Sequence, residues 1–174
     1  MAADLATIKA LVFDVDGVLT DGRIVFTASG ETRRAFHAHD GIGIVLLRRA
    51  GIRCAAITSA SCPSISKRVE RLGLDAFVDG CKDKGAAFAR LLADWQLAAE
   101  QVAYMGDDLV DMAPMLSAGV AAAPSNANSA VLAAAAVVTD AAGGCGAVRE
   151  LAEMILQAQD AQILAEAKKC GLRL

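Results

Sequence analysis

Four groups of polar residues in this chain stand where chemistry would need them. Asp14-Val15-Asp16 places two carboxylates two positions apart, Thr58-Ser59 offers paired hydroxyls, Lys82-Asp83-Lys84 supplies ammonium groups, and Gly106-Asp107-Asp108-Leu109-Val110-Asp111 adds further carboxylates. Each follows a short apolar run, directly or after one loop, and in open parallel sheets ligands bind beyond the carboxyl ends of the strands. One Asp or Thr in such a place is a common helix cap, so the weight lies on their recurrence at successive run ends. Carboxylates that face one another from two loops repel unless a cation lies between them. An all-oxygen acidic site without histidine or clustered cysteine favours Mg²⁺. A lysine and a threonine hydroxyl added to such a cluster make a cradle for a phosphoryl group, with charge neutralised by metal and ammonium and a hydroxyl donor for a non-bridging oxygen. Two other readings fail. A calcium loop needs glycine at its sixth position, whereas Gly17 falls at the fourth with no acid at the fifth. Gly41-x-Gly43 lacks the third glycine and the leading strand of a dinucleotide-binding turn.

The elements that must position these groups follow from periodicity. Short apolar runs at Ala10–Phe13, Arg53–Thr58, Ala76–Val78, Val102–Met105, Val120–Ala122 and Ala136–Val138 read as buried strands. Between them, Ile42–Arg49, Ser64–Leu72, Lys84–Trp95, Leu109–Ala118 and Ala147–Gln159 carry apolar residues at helical spacing, several closed by glycine. This alternation predicts an α/β fold with a doubly wound, Rossmann-like parallel sheet. Residues 22–36 stand outside the rhythm: Ile24-Val25-Phe26 and a charged second arm flank Ala28-Ser29-Gly30, the pattern of a β-hairpin that projects as a flap. The alanine-rich Ala130–Ala136 reads as a closely packed helix, and Tyr104 and Trp95 as packing residues. The expected organisation is one domain over residues 1–174, with the flap at about 22–36, a tail at about 160–174 and no separate cap domain.

Composition narrows the class. In 174 residues, 55% are hydrophobic and 21% charged, enough apolar surface to offset the entropy of ordering. A net charge of −3 gives no basic footprint for nucleic acid. Met112–Thr139 carries no charge, but Pro114, Gly119, Pro124, Ser125, Asn126, Asn128 and Ser129 interrupt it, so it reads as core and no membrane partner is expected. Five scattered cysteines without a C-x-x-C pair fit reduced thiols, and the amino terminus does not read as a signal peptide, so the expected compartment is the cytoplasm.

Asp14-Val-Asp-Gly-Val-Leu-Thr20, Thr58, Lys84 and Gly106-Asp-Asp-x-x-Asp111 together resemble the four ordered motifs of the haloacid dehalogenase-like phosphatases. More narrowly, 14–22, Ala35-Phe-His-Ala-His-Asp-Gly-Ile-Gly43, Asp83-Lys84-x-x-Ala87-Phe88, 102–111 and Gly143-Gly-x-Gly-Ala-Val-Arg-Glu150 resemble the phosphatases of 3-deoxy-D-manno-octulosonate 8-phosphate (KDO 8-phosphate), over about residues 9–159. The resemblance implies a Mg²⁺-dependent phosphomonoesterase acting on a small phosphorylated sugar acid. Asp14 would attack phosphorus to give an aspartyl-phosphate, and Asp16 would protonate the leaving alkoxide and then activate water. Asp14, Asp16 through its backbone carbonyl, and Asp107 would hold Mg²⁺, with Asp108 and Asp111 behind them; Thr58 and Lys84 would bind the phosphoryl group. His37, Ala38, His39, Asp40, Gly41, Ser59 and Arg68 would line the substrate, and the flap and tail would join a homotetramer. The residues alone also permit His37 and His39 as exposed positions before a helix and Arg68 as a helix-surface cation. The chain departs from the family pattern at Thr58-Ser59-Ala60, usually Thr-Gly-Arg, and at Gly143-Gly-Cys145-Gly, usually Gly-Gly-Arg-Gly. Two rival classes share parts of this constellation. A phospho-acceptor receiver domain would place its lysine last, whereas Lys84 precedes the Gly106-Asp-Asp cluster; a non-catalytic assembly module would not need the motifs intact.

Overall fold

The computed structural model describes residues 4–159, so the tail expected at about 160–174 lies outside the described residues. In chain order the elements are β1 (Ala10–Phe13), β2 (Val25–Phe26), β3 (Thr32–Arg33), α1 (Ala38–Arg49), β4 (Arg53–Ile57), α2 (Pro63–Leu72) and β5 (Ala76–Val78). There follow α3 (Lys84–Trp95), β6 (Val102–Met105), α4 (Met112–Ser117), β7 (Val120–Ala123), α5 (Ser129–Ala134), β8 (Val137–Val138) and α6 (Ala147–Gln159). Six strands make one parallel sheet in the order β5-β4-β1-β6-β7-β8. From β1 the chain runs outward through β4 and β5, then crosses to β6 and continues outward through β7 and β8. The connections diverge at the carboxyl end of β1, which opens the crevice where open α/β sheets bind ligands.

The strands are apolar on both faces because helices cover both. Leu11, Phe13, Cys54, Ala56, Ala103 and Met105 pack on one side with Ile44 and Leu47 of α1, Ile65 and Val69 of α2, and Leu151 and Ile155 of α6. Their alternate neighbours Ala10, Val12, Ala55, Ile57, Val102 and Tyr104 pack on the other side with Phe88 and Leu91 of α3, Met115 of α4 and Val131 of α5. The period of two along each strand thus divides one sheet between two cores. β2 and β3 form a separate antiparallel pair, closed by Thr27 N–H donating to Glu31 O at 2.9 Å, as the hairpin pattern predicts. Among the described residues no helix is long and apolar enough to cross a membrane.

Two helices differ from the sequence expectation, each for a local reason. α1 begins at Ala38 rather than Ile42, so His39, Asp40 and Gly41 lie in its first turn and His37 is its N-cap. That turn lacks an apolar stripe and is anchored through Asp40, whose buried carboxylate accepts from Arg149 N–H at 3.0 Å in the first turn of α6. The expected helix 109–118 instead splits into a 3₁₀ turn, Leu109–Asp111, followed by α4. Pro114 has no N–H to bond back to Val110 and its ring crowds that carbonyl, which disfavours one continuous α-helix over 109–118.

The loop before α6 closes directly over the chain after β1. Gly143 N–H donates to Asn126 Oδ1 at 2.8 Å, Gly144 N–H to Val18 O at 2.9 Å, and a Cβ on Gly143 would stand 1.7 Å from Gly17 O. Backbone cannot yield as a flexible side chain can. Gly143→Ala is therefore expected to cost at least about 1–3 kcal/mol in denaturant unfolding; an unchanged midpoint would contradict this packing.

Candidate active site

Asp14 is the first residue beyond β1, and its N–H continues the sheet by donating to Met105 O at 3.0 Å. Its carboxylate turns into the crevice, where Oδ1 accepts from Val15 N–H at 2.6 Å and Oδ2 faces Lys84 Nζ at 2.7 Å. Lys84 opens α3, behind the N-cap Asp83, whose side chain accepts from Ala86 N–H at 2.9 Å. The same ammonium donates to Asp111 Oδ1 at 2.8 Å, so one buried cation bridges two buried carboxylates. Asp111 is also held by Tyr104, whose hydroxyl donates to Oδ1 at 2.8 Å, and by Asp107 N–H, which donates to Oδ2 at 3.3 Å. Its oxygens are spoken for. Asp107 begins the loop after β6, with its carbonyl fixed by Asn128 N–H at 2.8 Å. Thr58, just past β4, is buried; its Oγ1 accepts from Ala60 N–H at 3.2 Å, which leaves the hydroxyl hydrogen free to donate.

Electrostatics indicate what the cluster would hold. Oxygens of Asp14, Asp107 and Asp111 lie within 4.8 Å of one another. These three carboxylates against the Lys84 ammonium leave a formal excess of two negative charges, the charge of one divalent cation. Without that cation, burial and then the Asp111 charge push Asp14 up to about 7, although Lys84 opposes the shift. Burial, then Asp111, likewise raise Asp107 to about 6. Burial disfavours the Lys84 ammonium, but Asp14 and Asp111 outweigh it and keep the amine protonated. The donor set fits Mg²⁺, which is commonly held by one or two carboxylates with other oxygens completing its shell. A Cβ on Gly17, whose φ is +89°, would stand 1.9 Å from Asp107 Oδ2, so glycine there leaves the Asp107 carboxylate its place beside the Asp14–Gly17 loop.

Of the residues marked from sequence, Asp14, Lys84, Asp107 and Asp111 meet in this cluster, and Thr58 ends the strand beside β1. Asp108 is exposed at the start of the 3₁₀ turn, where its Oδ1 accepts from Leu109 N–H at 2.7 Å. Ser59 is exposed beside Thr58. His37, Asp40, Gly41 and Arg68 gather where α1 meets α2 and α6. Arg68 Nη2 donates to His37 O at 3.2 Å, its guanidinium lies over the Phe36 ring 5.7 Å from the centroid, and a Cβ on Gly41 would stand 2.8 Å from Nη2. Ala38 and His39 are exposed on the first turn of α1, the His39 ring 4.8 Å from that of His37. Asp40 is turned away from solvent into α6.

Sequence reasoning missed two participants. Tyr104 packs edge-on against Phe88, ring centroids 5.6 Å apart, as a packing residue would, but its hydroxyl also fixes Asp111. A tyrosine inside a buried strand with a carboxylate seven positions on was the available signal. Arg34, directly after β3, pairs with Asp16, Nε donating to Oδ1 at 2.6 Å and Nη2 to Oδ2 at 3.0 Å. Nothing in Glu31-Thr32-Arg33-Arg34 says which arginine turns inward; the hairpin register, Val25 opposite Arg33, decides it.

Comparison with known proteins gives the arrangement its relatives. A haloacid dehalogenase-like hydrolase family matches residues 74–151. The chain is 40% identical over 159 residues to the 3-deoxy-D-manno-octulosonate 8-phosphate phosphatase of Haemophilus influenzae, covering 91% of this chain and 88% of that one. The crystal structure of the Yersinia pestis phosphatase of the same name superposes with a TM-score of 0.88 at 42% identity, covering 90% of this chain and 84% of that one. The Moraxella catarrhalis phosphatase, solved in complex with magnesium, phosphate and KDO, superposes with a TM-score of 0.91 at 34% identity over 95% of each chain. By fold, ordered motifs and identity across nearly its whole length, the chain belongs to the 3-deoxy-D-manno-octulosonate 8-phosphate phosphatase family of haloacid dehalogenase-like hydrolases.

Proposed function

We propose that the chain is a Mg²⁺-dependent phosphomonoesterase that hydrolyses 3-deoxy-D-manno-octulosonate 8-phosphate, or a related ulosonate or nonulosonate phosphate, through an aspartyl-phosphate at Asp14. The observation that carries this is the Lys84 ammonium held 2.7 Å from Asp14 Oδ2 at the divergence of the sheet. That contact keeps a carboxylate in place as nucleophile and sets a cation where a phosphoryl oxygen must lie. Asp14 attacks phosphorus as the bond to the sugar oxygen breaks, and Asp16 delivers a proton to that oxygen. Water then attacks the aspartyl-phosphate and gives its proton to Asp16, which restores both residues. Thr58 donates to a non-bridging oxygen throughout, while Asp111 and Tyr104 hold Lys84 in line. Asp14, Asp107 and the Asp16 carbonyl would hold Mg²⁺, which would neutralise charge on the transferring group.

His37, Ala38, His39, Ser59 and Arg68 are read as facing the sugar acid, while Asp40 and Gly41, both buried, support that turn from behind; Ala60 and Cys145 stand where the family usually presents arginine. Fewer cations for the substrate carboxylate support a broader range of sugar-acid phosphates. The exposed flap, with Phe26 74% accessible, supports assembly into a homotetramer that covers it. The cytoplasm is the proposed location and one domain the proposed organisation.

A panel of phosphorylated sugars and sugar acids assayed for phosphate release tests the reading. Sugar-acid phosphates should rank first, and Asp14→Asn should lose at least about 10³-fold in kcat; near-normal turnover in that variant would refute the nucleophile. Ala60→Arg should sharpen selectivity for the octulosonate phosphate by at least about tenfold, since a buried carboxylate left without its arginine partner costs about 2–5 kcal/mol; unchanged selectivity would place residue 60 outside the substrate's reach. Mg²⁺ must displace protons from Asp14 and Asp107, whose values near 7 and 6 lie above the ordinary carboxylate range. Its affinity, measured by calorimetry, should therefore fall as pH drops through that window, by about tenfold per unit for each proton displaced. A constant affinity from about pH 5 to pH 8 would contradict the assignment.

A further inference from the structure

The flap is connected to the reaction through one side chain. Arg34 leaves the end of β3 and turns its guanidinium back to the loop after β1, where it grips both oxygens of Asp16 at 2.6 and 3.0 Å. A two-point guanidinium–carboxylate contact fixes the plane of the carboxylate as well as its distance. The guanidinium has its own anchors: Nη1 donates to Thr32 Oγ1 at 3.1 Å and to Cys62 Sγ, at the N-cap of α2, at 3.2 Å. Its side chain is 4% exposed, against 22% for Asp16. The cation is therefore a preset fixture between the flap and α2, and the carboxylate is the partner with freedom to lose. With all three nitrogens engaged, little of the guanidinium remains to grip a substrate.

We propose that Arg34 is a positioning residue for proton transfer, orienting the Asp16 carboxylate so that it meets first the leaving oxygen and then the attacking water. The proposal rests on the reading of Asp16 as the acid and base of the two half-reactions. In the first, the phosphorus–oxygen bond to the leaving group breaks while its oxygen takes a proton that Asp16 carries on a lone pair not used by Arg34; in the second, water gives a proton back to that lone pair as its oxygen bonds to phosphorus. One carboxylate must serve two partners in succession, and a partly exposed aspartate rotating freely would meet neither in a consistent geometry. Displacement of a reacting group by about 1 Å can cost about 10²-fold in rate. Arg34 removes that freedom, and because it belongs to the flap, the flap's placement becomes part of catalysis.

Leaving-group chemistry separates this role from a merely structural one. A sugar alkoxide needs a proton to depart and an aryl oxide does not, so loss of the acid damages an alkyl phosphate more than p-nitrophenyl phosphate. Steady-state kinetics of the full chain at saturating Mg²⁺ should be run on both substrates for Asp16→Asn, Arg34→Met, Arg34→Lys and the Asp16→Asn/Arg34→Met double variant. Arg34→Met should lower kcat about 10- to 100-fold on the octulosonate phosphate and less than about threefold on the aryl ester, with KM little changed. It should add nothing in the Asp16→Asn background, since both changes remove the same function. Arg34→Lys keeps the charge and loses the two-point grip; it should show the same selectivity in weaker form, and it carries the test if the Met variant fails to fold. Equal losses on both substrates, additive losses in the double variant, no loss at all, or a rise in KM confined to sugar acids would each overturn the role. An Asp16→Asn variant that loses equally on both substrates would remove the acid assignment and the Arg34 role with it. A selective Asp16→Asn with an unselective Arg34→Met would overturn the Arg34 role alone.

Discussion

The Lys84 ammonium between Asp14 and Asp111 is the contact on which the rest of the molecule depends. All three side chains are nearly or fully removed from solvent. Each charge would be costly alone, and removing one member of such a buried set typically costs about 3–5 kcal/mol because its partners are left uncompensated. The three residues come from the end of β1, the first residue of α3 and the turn before α4, so the contact can form only when the sheet and the helices on that face are assembled. Tyr104 completes it from inside β6, its ring in the core and its hydroxyl on Asp111. Folding and the placing of the Asp14 carboxylate, the proposed nucleophile, are thus the same event. The cluster still carries excess negative charge, and the elevated Asp14 and Asp107 express that imbalance, which a divalent cation relieves.

The sheet was legible in the sequence because each central strand is a short run apolar on both faces, bounded by residues that end strands. The cluster was legible because its members fall at the ends of those runs. What periodicity could not supply were contacts made across the fold. The first turn of α1 has no apolar stripe, and its anchor, the backbone at Arg149, lies far along the chain from Asp40. The break before α4 turns on one missing N–H at Pro114. Arg34 sits in a polar arm where neighbouring residues look alike, and only the hairpin register distinguishes it from Arg33. Only the fold shows that Gly143 lies against the backbone of Gly17, itself pressed against Asp107.

The flap gives the site a second layer of organisation. Its outer arm exposes Ile24, Val25 and Phe26, while its inner end sends Arg34 to Asp16. An exposed apolar arm and the side chain that grips Asp16, the proposed proton-transfer group, therefore belong to one small hairpin. An isolated two-stranded hairpin is marginal in water, so whatever seats the flap also seats Asp16. In the proposed assembly, Arg34 would link the packing of the flap to turnover.

The most direct test of the account is to trap the covalent intermediate at its nucleophile. Acid quenching during turnover of a sugar-acid phosphate, followed by borohydride reduction and peptide mass spectrometry, converts an aspartyl-phosphate to homoserine at the residue that carried it. The account predicts homoserine at position 14, dependent on both Mg²⁺ and substrate. Homoserine at position 16 or 107, or an unmodified Asp14 under conditions where phosphate is being released, would contradict it.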